Sequence, residues 1–117
     1  MTVHHHAGKP ARPEDRINIG RLVSDYFLQQ PDVSIVEQKV TFGTSGHRGS
    51  ANKLSFNEHH ILAICQAVAE YRKAQGFKGP LFLGKDTHAL SEPAFASALS
   101  VLIANGVPVV IQQDEGF

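Results

Sequence analysis

After Pro13 the apolar positions Ile19, Leu22, Val23, Tyr26 and Phe27 recur at the three- and four-residue spacing that gathers side chains on one face of a helix. Glu14 and Asp15 stand ahead of them, where a helix dipole favours acids, so the pattern predicts an amphipathic helix ending near Gln30. Pro31 and Asp32 break it. Val36 to Phe42 mixes β-formers with polar residues and predicts a half-buried strand, followed at once by a glycine-rich loop. Ser55 and Glu58 are spaced as a capping box ahead of the periodic run Ile61, Ile64, Cys65, Val68 and Tyr71, with Gly76 as the stop. Leu81 to Leu83, between Gly79-Pro80 and Gly84, predicts a short buried strand. A third helix is marked by Ser91 as cap, Pro93 in its first turn, apolar Phe95, Leu99 and Leu102, and Gly106 after its end. Val107 to Ile111 then predicts another buried strand.

Strands alternating with helices of this length predict an α/β layer whose functional loops follow the strands. Asn105-Gly106 is no hairpin turn, because the segment before it has helical periodicity. The chain reaches Gly116-Phe117 directly after the last strand, where an α/β chain crosses back through another helix, so it is expected to be cut rather than finished. Three or four strands would leave an open edge, and poor solubility or self-association is expected of the stretch alone.

Composition narrows this picture. The 117 residues suit one domain, and 42% hydrophobic with 19% charged residues is ordinary globular usage. Eleven basic residues balance eleven acidic ones, so no net field draws the chain to nucleic acid or to a membrane, and any anion site must be local. No apolar run has the length of a membrane span or the form of a secretory signal, which points to a cytoplasmic protein. Cys65, alone among apolar neighbours, reads as a small core residue. His4, His5 and His6 precede a Pro-rich stretch without another ligand type, so residues 1–13 are expected to be a disordered tail ahead of a folded part at 14–117. His59 and His60 read as solvated residues of a first helical turn, about 100° apart around the axis. Asp114 and Glu115, without a partner in view, read as a solvated strand end.

The strongest local motif is Thr41-Phe42-Gly43-Thr44-Ser45-Gly46-His47-Arg48-Gly49. Glycines let backbone N–H groups converge on an anion, hydroxyls add donors, and an arginine fork clamps phosphate oxygens. Those are the parts of a phosphate cradle, although it is neither the dinucleotide fingerprint nor the P-loop. On chemistry alone a Gly-rich turn with an exposed Arg48 accounts for it equally well.

The string from Phe42 to Gly49 resembles the first signature of the α-D-phosphohexomutases, in the form found in their bacterial phosphoglucomutase branch. Gly84-Lys85-Asp86-Thr87-His88-Ala89-Leu90-Ser91 is similar to the same family's G-[KR]-D-x-R-x-S segment. The resemblance implies an incomplete three-layer α/β/α first domain with a mixed sheet, over residues 14–117. It also implies a hexose phosphate substrate, glucose 1-phosphate and glucose 6-phosphate being interconverted through a phosphoserine and a glucose 1,6-bisphosphate intermediate, with Mg2+ as cofactor. Carried onto this chain, Arg48 contacts the phosphoryl group or the bisphosphorylated sugar. Thr44, Ser45, Gly46 and His47 serve as loop donors or orienting groups, and Lys85 and Asp86 brace the floor of the site, through an ion pair or as a mere surface pair.

Several family parts are missing from the 117 residues. No [TA]-S-H-N-P loop occurs, so none of Ser45, Ser50, Ser55, Ser91, Ser97 and Ser100 inherits the nucleophile's role. The acidic D-x-D-x-D magnesium loop, the sugar-recognition loop and the terminal phosphate-binding domain are absent too, so those C-terminal domains are expected as partners within one polypeptide, and the stretch alone is expected to be inactive. His88 stands where many relatives carry arginine. The other readings are a phosphomannomutase or phosphoglucosamine mutase relative, or a non-catalytic module that binds phosphate or a phosphosugar through residues 43–49.

Overall fold

A computed structural model describes residues 2–114 and Gly116. Its principal helices are α1 (Ile19–Leu28), α2 (Glu58–Ala74) and α3 (Ser91–Ala104). The strands β1 (Leu81–Phe82) and β2 (Val109–Val110) pair in parallel, Leu81 opposite Val109 and Phe82 opposite Val110, so α3 is the crossover of a β-α-β unit. The α/β class follows from that unit. Both strands fall where the apolar runs predicted them and are shorter than those runs.

α1 starts later than its acidic prelude suggests. Glu14 and Asp15 belong to a separate 3-10 turn at Pro13–Asp15, and Asn18 caps the helix by accepting the Arg21 N–H at 3.0 Å. At α2 the capping residue is Asn57 rather than Ser55. The Asn57 N–H donates to His60 Nδ1 at 3.0 Å, and its side-chain amide donates to the Asp25 carbonyl (2.9 Å) and the Ala51 carbonyl (3.2 Å). Ser55 is drawn off by its own loop, where its hydroxyl accepts the Ser50 N–H at 2.9 Å. Ser91 is the first residue of α3, with Leu90 in the capping position. Gly76 and Gly106 close α2 and α3 in the left-handed conformation, each followed by a bond back across the last turn: Phe77 N–H to the Arg72 carbonyl and Val107 N–H to the Leu102 carbonyl, both at 3.0 Å.

The strand predicted over Val36 to Phe42 does not form. Val36–Gln38 is a 3-10 turn, and only Phe42 enters a β-bridge, an isolated antiparallel one with His47. The backbone groups that a ladder would need are consumed locally: Gln38 N–H bonds the Ile35 carbonyl, Lys39 N–H bonds the Val36 carbonyl, the Gln38 carbonyl accepts from His60, and the Thr41 N–H goes to His47.

The core forms where α1 crosses the turn at Ala51–Lys53 and where α2 lies along α3. Tyr26, Ala51 and Leu90 are buried there, with Leu22, Val23, Phe56, Ile61 and Ala94 packed around them. Tyr26, 0% exposed, donates its hydroxyl to Ser97 Oγ at 2.9 Å and so ties α1 to α3. Large apolar side chains remain open to solvent, among them Phe42 (62%), Phe77 (56%) and Phe82 (78%).

Candidate active-site cleft

The glycine-rich motif folds into a tight turn. The Gly43 N–H donates to the Gly46 carbonyl at 3.0 Å, the Phe42–His47 bridge lies just outside it, and Gly46 takes a φ of 129°. Few residues but glycine adopt that value. Beyond the turn the chain is fastened on both sides of Arg48. His47 Nε2 donates to the Ser55 carbonyl at 2.7 Å, and the backbone of Gly49 lies against that same carbonyl so closely that a β-carbon there would stand 2.1 Å from the oxygen. Arg48 itself is exposed, and its guanidinium donates to Ser45 Oγ at 3.2 Å. No carboxylate among the described residues forms an ion pair with it.

The second motif follows β1. In parallel sheets ligands bind beyond the carboxyl ends of strands, and Leu83 to Leu90 occupies that position ahead of α3. Asp86 organises it by accepting the His88 N–H (3.0 Å) and the Ser91 hydroxyl. The Ser91 hydroxyl above all, then the His88 N–H, holds the Asp86 carboxyl below the usual carboxylate range. The expected ion pair between Lys85 and Asp86 is not made. Lys85 reaches across to Glu92, and its ammonium lies 5.0 Å from the centre of the Phe95 ring. Asp86 is already committed to its own turn.

The two motifs are 35 residues apart at their closest ends (Gly49 and Gly84), yet both line one open cleft of about 1060 Å³. His47, Arg48 and Gly49 contribute from the first motif, and Lys85, Asp86, His88 and Ser91 from the second. Leu22, Phe56, Ile61 and Cys65 supply apolar surface to it. Burial pushes the Cys65 thiol up, so it lines this surface as a neutral group. Thr44, Ser45 and Gly46 sit in the turn outside the cleft, and of these only Ser45 reaches towards it, through Arg48. The cleft therefore offers a guanidinium without an ion pair among the described residues, the hydroxyl and imidazole of Ser91 and His88, and an apolar wall. A small anion with a polar body fits such chemistry.

The roles of three residues that matter to this geometry were not read from pattern. Gly49 is needed for backbone contact with a residue six positions on, which no spacing announces. Asn57 and His60 form a cap through an acceptor ring nitrogen, a variant of the box that looks for Ser or Thr with Glu or Gln. His60 is not solvated, being 3% exposed; His59 is the exposed member of that pair. Of the acidic residues Asp114 and Glu115, the second lies outside the described residues.

Turn, β-α-β unit and cleft define an α/β domain, and comparison with known proteins agrees. Residues 39–113 match the phosphoglucomutase/phosphomannomutase family, alpha/beta/alpha domain I, and the chain belongs to that family. It is similar to a phosphoglucomutase of Komagataeibacter xylinus, with 56% identity over 111 residues covering 95% of this chain and 20% of that protein. The chain thus spans about a fifth of the length of that curated relative.

Proposed function

We propose that the chain is the opening segment of a phosphoglucomutase that interconverts glucose 1-phosphate and glucose 6-phosphate, with residues 14–117 forming part of its first domain behind a tail at 1–13. The observation that supports this reading is the cleft itself, which Arg48, without an ion pair among the described residues, lines together with the Lys85–Ser91 turn in a chain so similar to a phosphoglucomutase. In that reading Arg48 takes phosphate oxygens of the bound sugar phosphate through its planar fork. Lys85 and Asp86 keep their part of the cleft rigid, each held by its own partner, Glu92 and Ser91. Thr44, Ser45 and Gly46 set the turn that presents Arg48, and phosphoryl transfer proceeds by positioning and charge neutralisation.

The transferring phosphoserine is assigned to the remainder of the first domain, beyond these residues, and the ligands of Mg2+ and recognition of the glucose 1,6-bisphosphate intermediate's sugar to further parts of the polypeptide. Among the described residues no three His, Cys, Asp or Glu side chains gather as metal ligands. No helix of the described residues is long and apolar enough to cross a membrane. We place the enzyme in the cytoplasm, and the 117 residues alone are inactive in this scheme. The exposed Phe42, Phe77 and Phe82 are then surface that the rest of the polypeptide covers.

Arg48→Ala in the full-length gene product tests the reading. Loss of a positioned donor to developing charge costs roughly a hundred- to a thousandfold in turnover, and a decrease of that order in glucose 1-phosphate conversion is expected with the melting temperature unchanged. Near-normal turnover would remove Arg48 from the site. Sequencing the gene past the codon for Phe117 separates the alternatives: an open frame into a Ser-His-Asn-Pro loop is expected, and a stop codon would favour a phosphosugar-binding module without catalysis.

A further inference from the structure

His60 lies in the first turn of α2, almost fully buried, and makes no contact that the transfer reaction calls for. Its ring is nevertheless engaged on both edges. Nδ1 accepts the Asn57 N–H at 3.0 Å, and Nε2 lies 2.7 Å from the Gln38 carbonyl. A carbonyl can only accept, so the Nε2 position carries the proton and Nδ1 is the acceptor. His47 has the same arrangement: its Nε2 donates to the Ser55 carbonyl at 2.7 Å, while Nδ1 accepts the Thr41 N–H at 3.0 Å and lies 3.2 Å from the Thr41 carbonyl. The two imidazoles stack, centroids 5.4 Å apart and planes 19° from parallel. Phe56 also stacks on His47, at 6.4 Å and 8°.

We infer that His60 is a positioning residue, the buried half of a two-imidazole clamp that fixes the segment from Gln38 to Gly49 on the start of α2 and thereby sets where Arg48 projects. The segment before the turn contains no strand to hold it, only a 3-10 turn and one bridge. What replaces a ladder is the pair of rings. His60 pins the segment at Gln38, His47 pins it at Thr41 and, on the far side of the turn, at Ser55, and the stacking makes the two pins one unit. Among the described residues Arg48, next in sequence to His47, is fastened by Ser45 and the packing of Gly49, so the ring pair decides its direction. The inference rests on Arg48 as the residue that meets the anion, but the clamp can be observed without that reaction.

The test uses the full-length protein with His60→Asn and His60→Gln. Asn reaches as far as Nδ1 and keeps the cap on Asn57, so α2 stays formed, while the stack and the bond to Gln38 are lost. Gln reaches as far as Nε2 and retains the bond to Gln38. One buried hydrogen bond and its stacking are worth about a tenfold change in an equilibrium, so His60→Asn should speed amide hydrogen exchange over residues 39–49 about tenfold and raise KM for glucose 1-phosphate by a similar factor, with Gln, which keeps the bond but not the ring, restoring only part of both. His47→Leu should do the same, and combining it with His60→Asn should add little, since the two act as one. Unchanged exchange over 39–49 in a folded His60→Asn protein, or effects of the two histidines that simply add, would overturn the clamp. Should the unsubstituted protein lack mutase activity, the proposed function fails and exchange over 39–49 alone decides the inference.

Discussion

Gly49 and Ser55 touch through their backbones: a β-carbon on Gly49 would lie 2.1 Å from the Ser55 carbonyl oxygen and 2.5 Å from its carbon. Neither atom can swing aside, and the same oxygen accepts the His47 ring proton. Gly49→Ala must therefore push the two segments apart and weaken that hydrogen bond, at a cost of about 1–3 kcal/mol typical of overpacking. Chemical denaturation of the full-length protein is expected to show this loss together with lowered transfer, because Arg48 is carried along. A Gly49→Ala protein as stable and active as the parent would show that the approach is not needed.

Gly46 is constrained differently. Nothing lies within 4 Å of where its β-carbon would stand, but its φ of 129° is one that side-chain-bearing residues resist. Gly46→Val is expected to cost of order 1–3 kcal/mol in local strain, expressed as an opened turn and reduced transfer rather than as loss of the hydrophobic core. A crystal structure or exchange data for the variant with the turn intact would argue against it.

The helices and the β-α-β unit were legible because their signals are local: periodicity, Pro93 in a first turn, Gly76 and Gly106 at the ends. The segment from Val36 to Phe42 was not, since its β-forming composition is overruled by two histidine side chains, one of them 22 residues away from its partner Gln38. A side chain competing for ladder hydrogen bonds from that distance leaves no trace in a short window. The cleft was half legible. Both motifs could be picked out by residue type, and their chemistry suggested an anion, but only the packing of α1 on the Ala51 turn and of α2 on α3 brings Arg48 and Ser91 to one cleft. Lys85 shows the limit of adjacency: its neighbour Asp86 was the obvious partner, and the partner is Glu92, in the first turn of α3.

Tyr26 binds three helices to one another by burial and a single hydroxyl. Its ring fills the core between α1 and the Ala51 turn, while the hydroxyl reaches Ser97 Oγ, which also lies 3.3 Å from Glu58 Oε1 and 3.0 Å from the Pro93 carbonyl. Tyr26→Phe leaves Ser97 with other acceptors, so the loss should be near the ordinary worth of one hydrogen bond, about 0.5–1.5 kcal/mol. Tyr26→Ala empties the core position and should cost about 3–5 kcal/mol. Thermal melts of the two variants should rank in that order with a clear gap. Equal losses would mean that the hydroxyl, not the ring, holds α1 in place.

The turn before α3 is expected to loosen in acid. Asp86 accepts the Ser91 hydroxyl and the His88 N–H more strongly as a carboxylate than as the neutral acid, and those donors hold its carboxyl below the usual range. The folded form thus binds a proton less readily than the unfolded chain. Its contribution to stability is complete above the ordinary aspartate value of about 4 and is lost as pH falls through the depressed folded value. Because Asp86 is exposed, the effect on global stability is small, and the turn itself is the place to look for it. Carbon-detected titration of the Asp86 carboxyl should give a midpoint below that of an unstructured aspartate, and exchange of the His88 amide should accelerate through the same range. Asp86→Ala should show fast His88 exchange at every pH. A midpoint at or above the ordinary value would mean that the Ser91 and His88 bonds do not persist in solution, and this part of the cleft would then lack the rigidity that the proposed transfer asks of it.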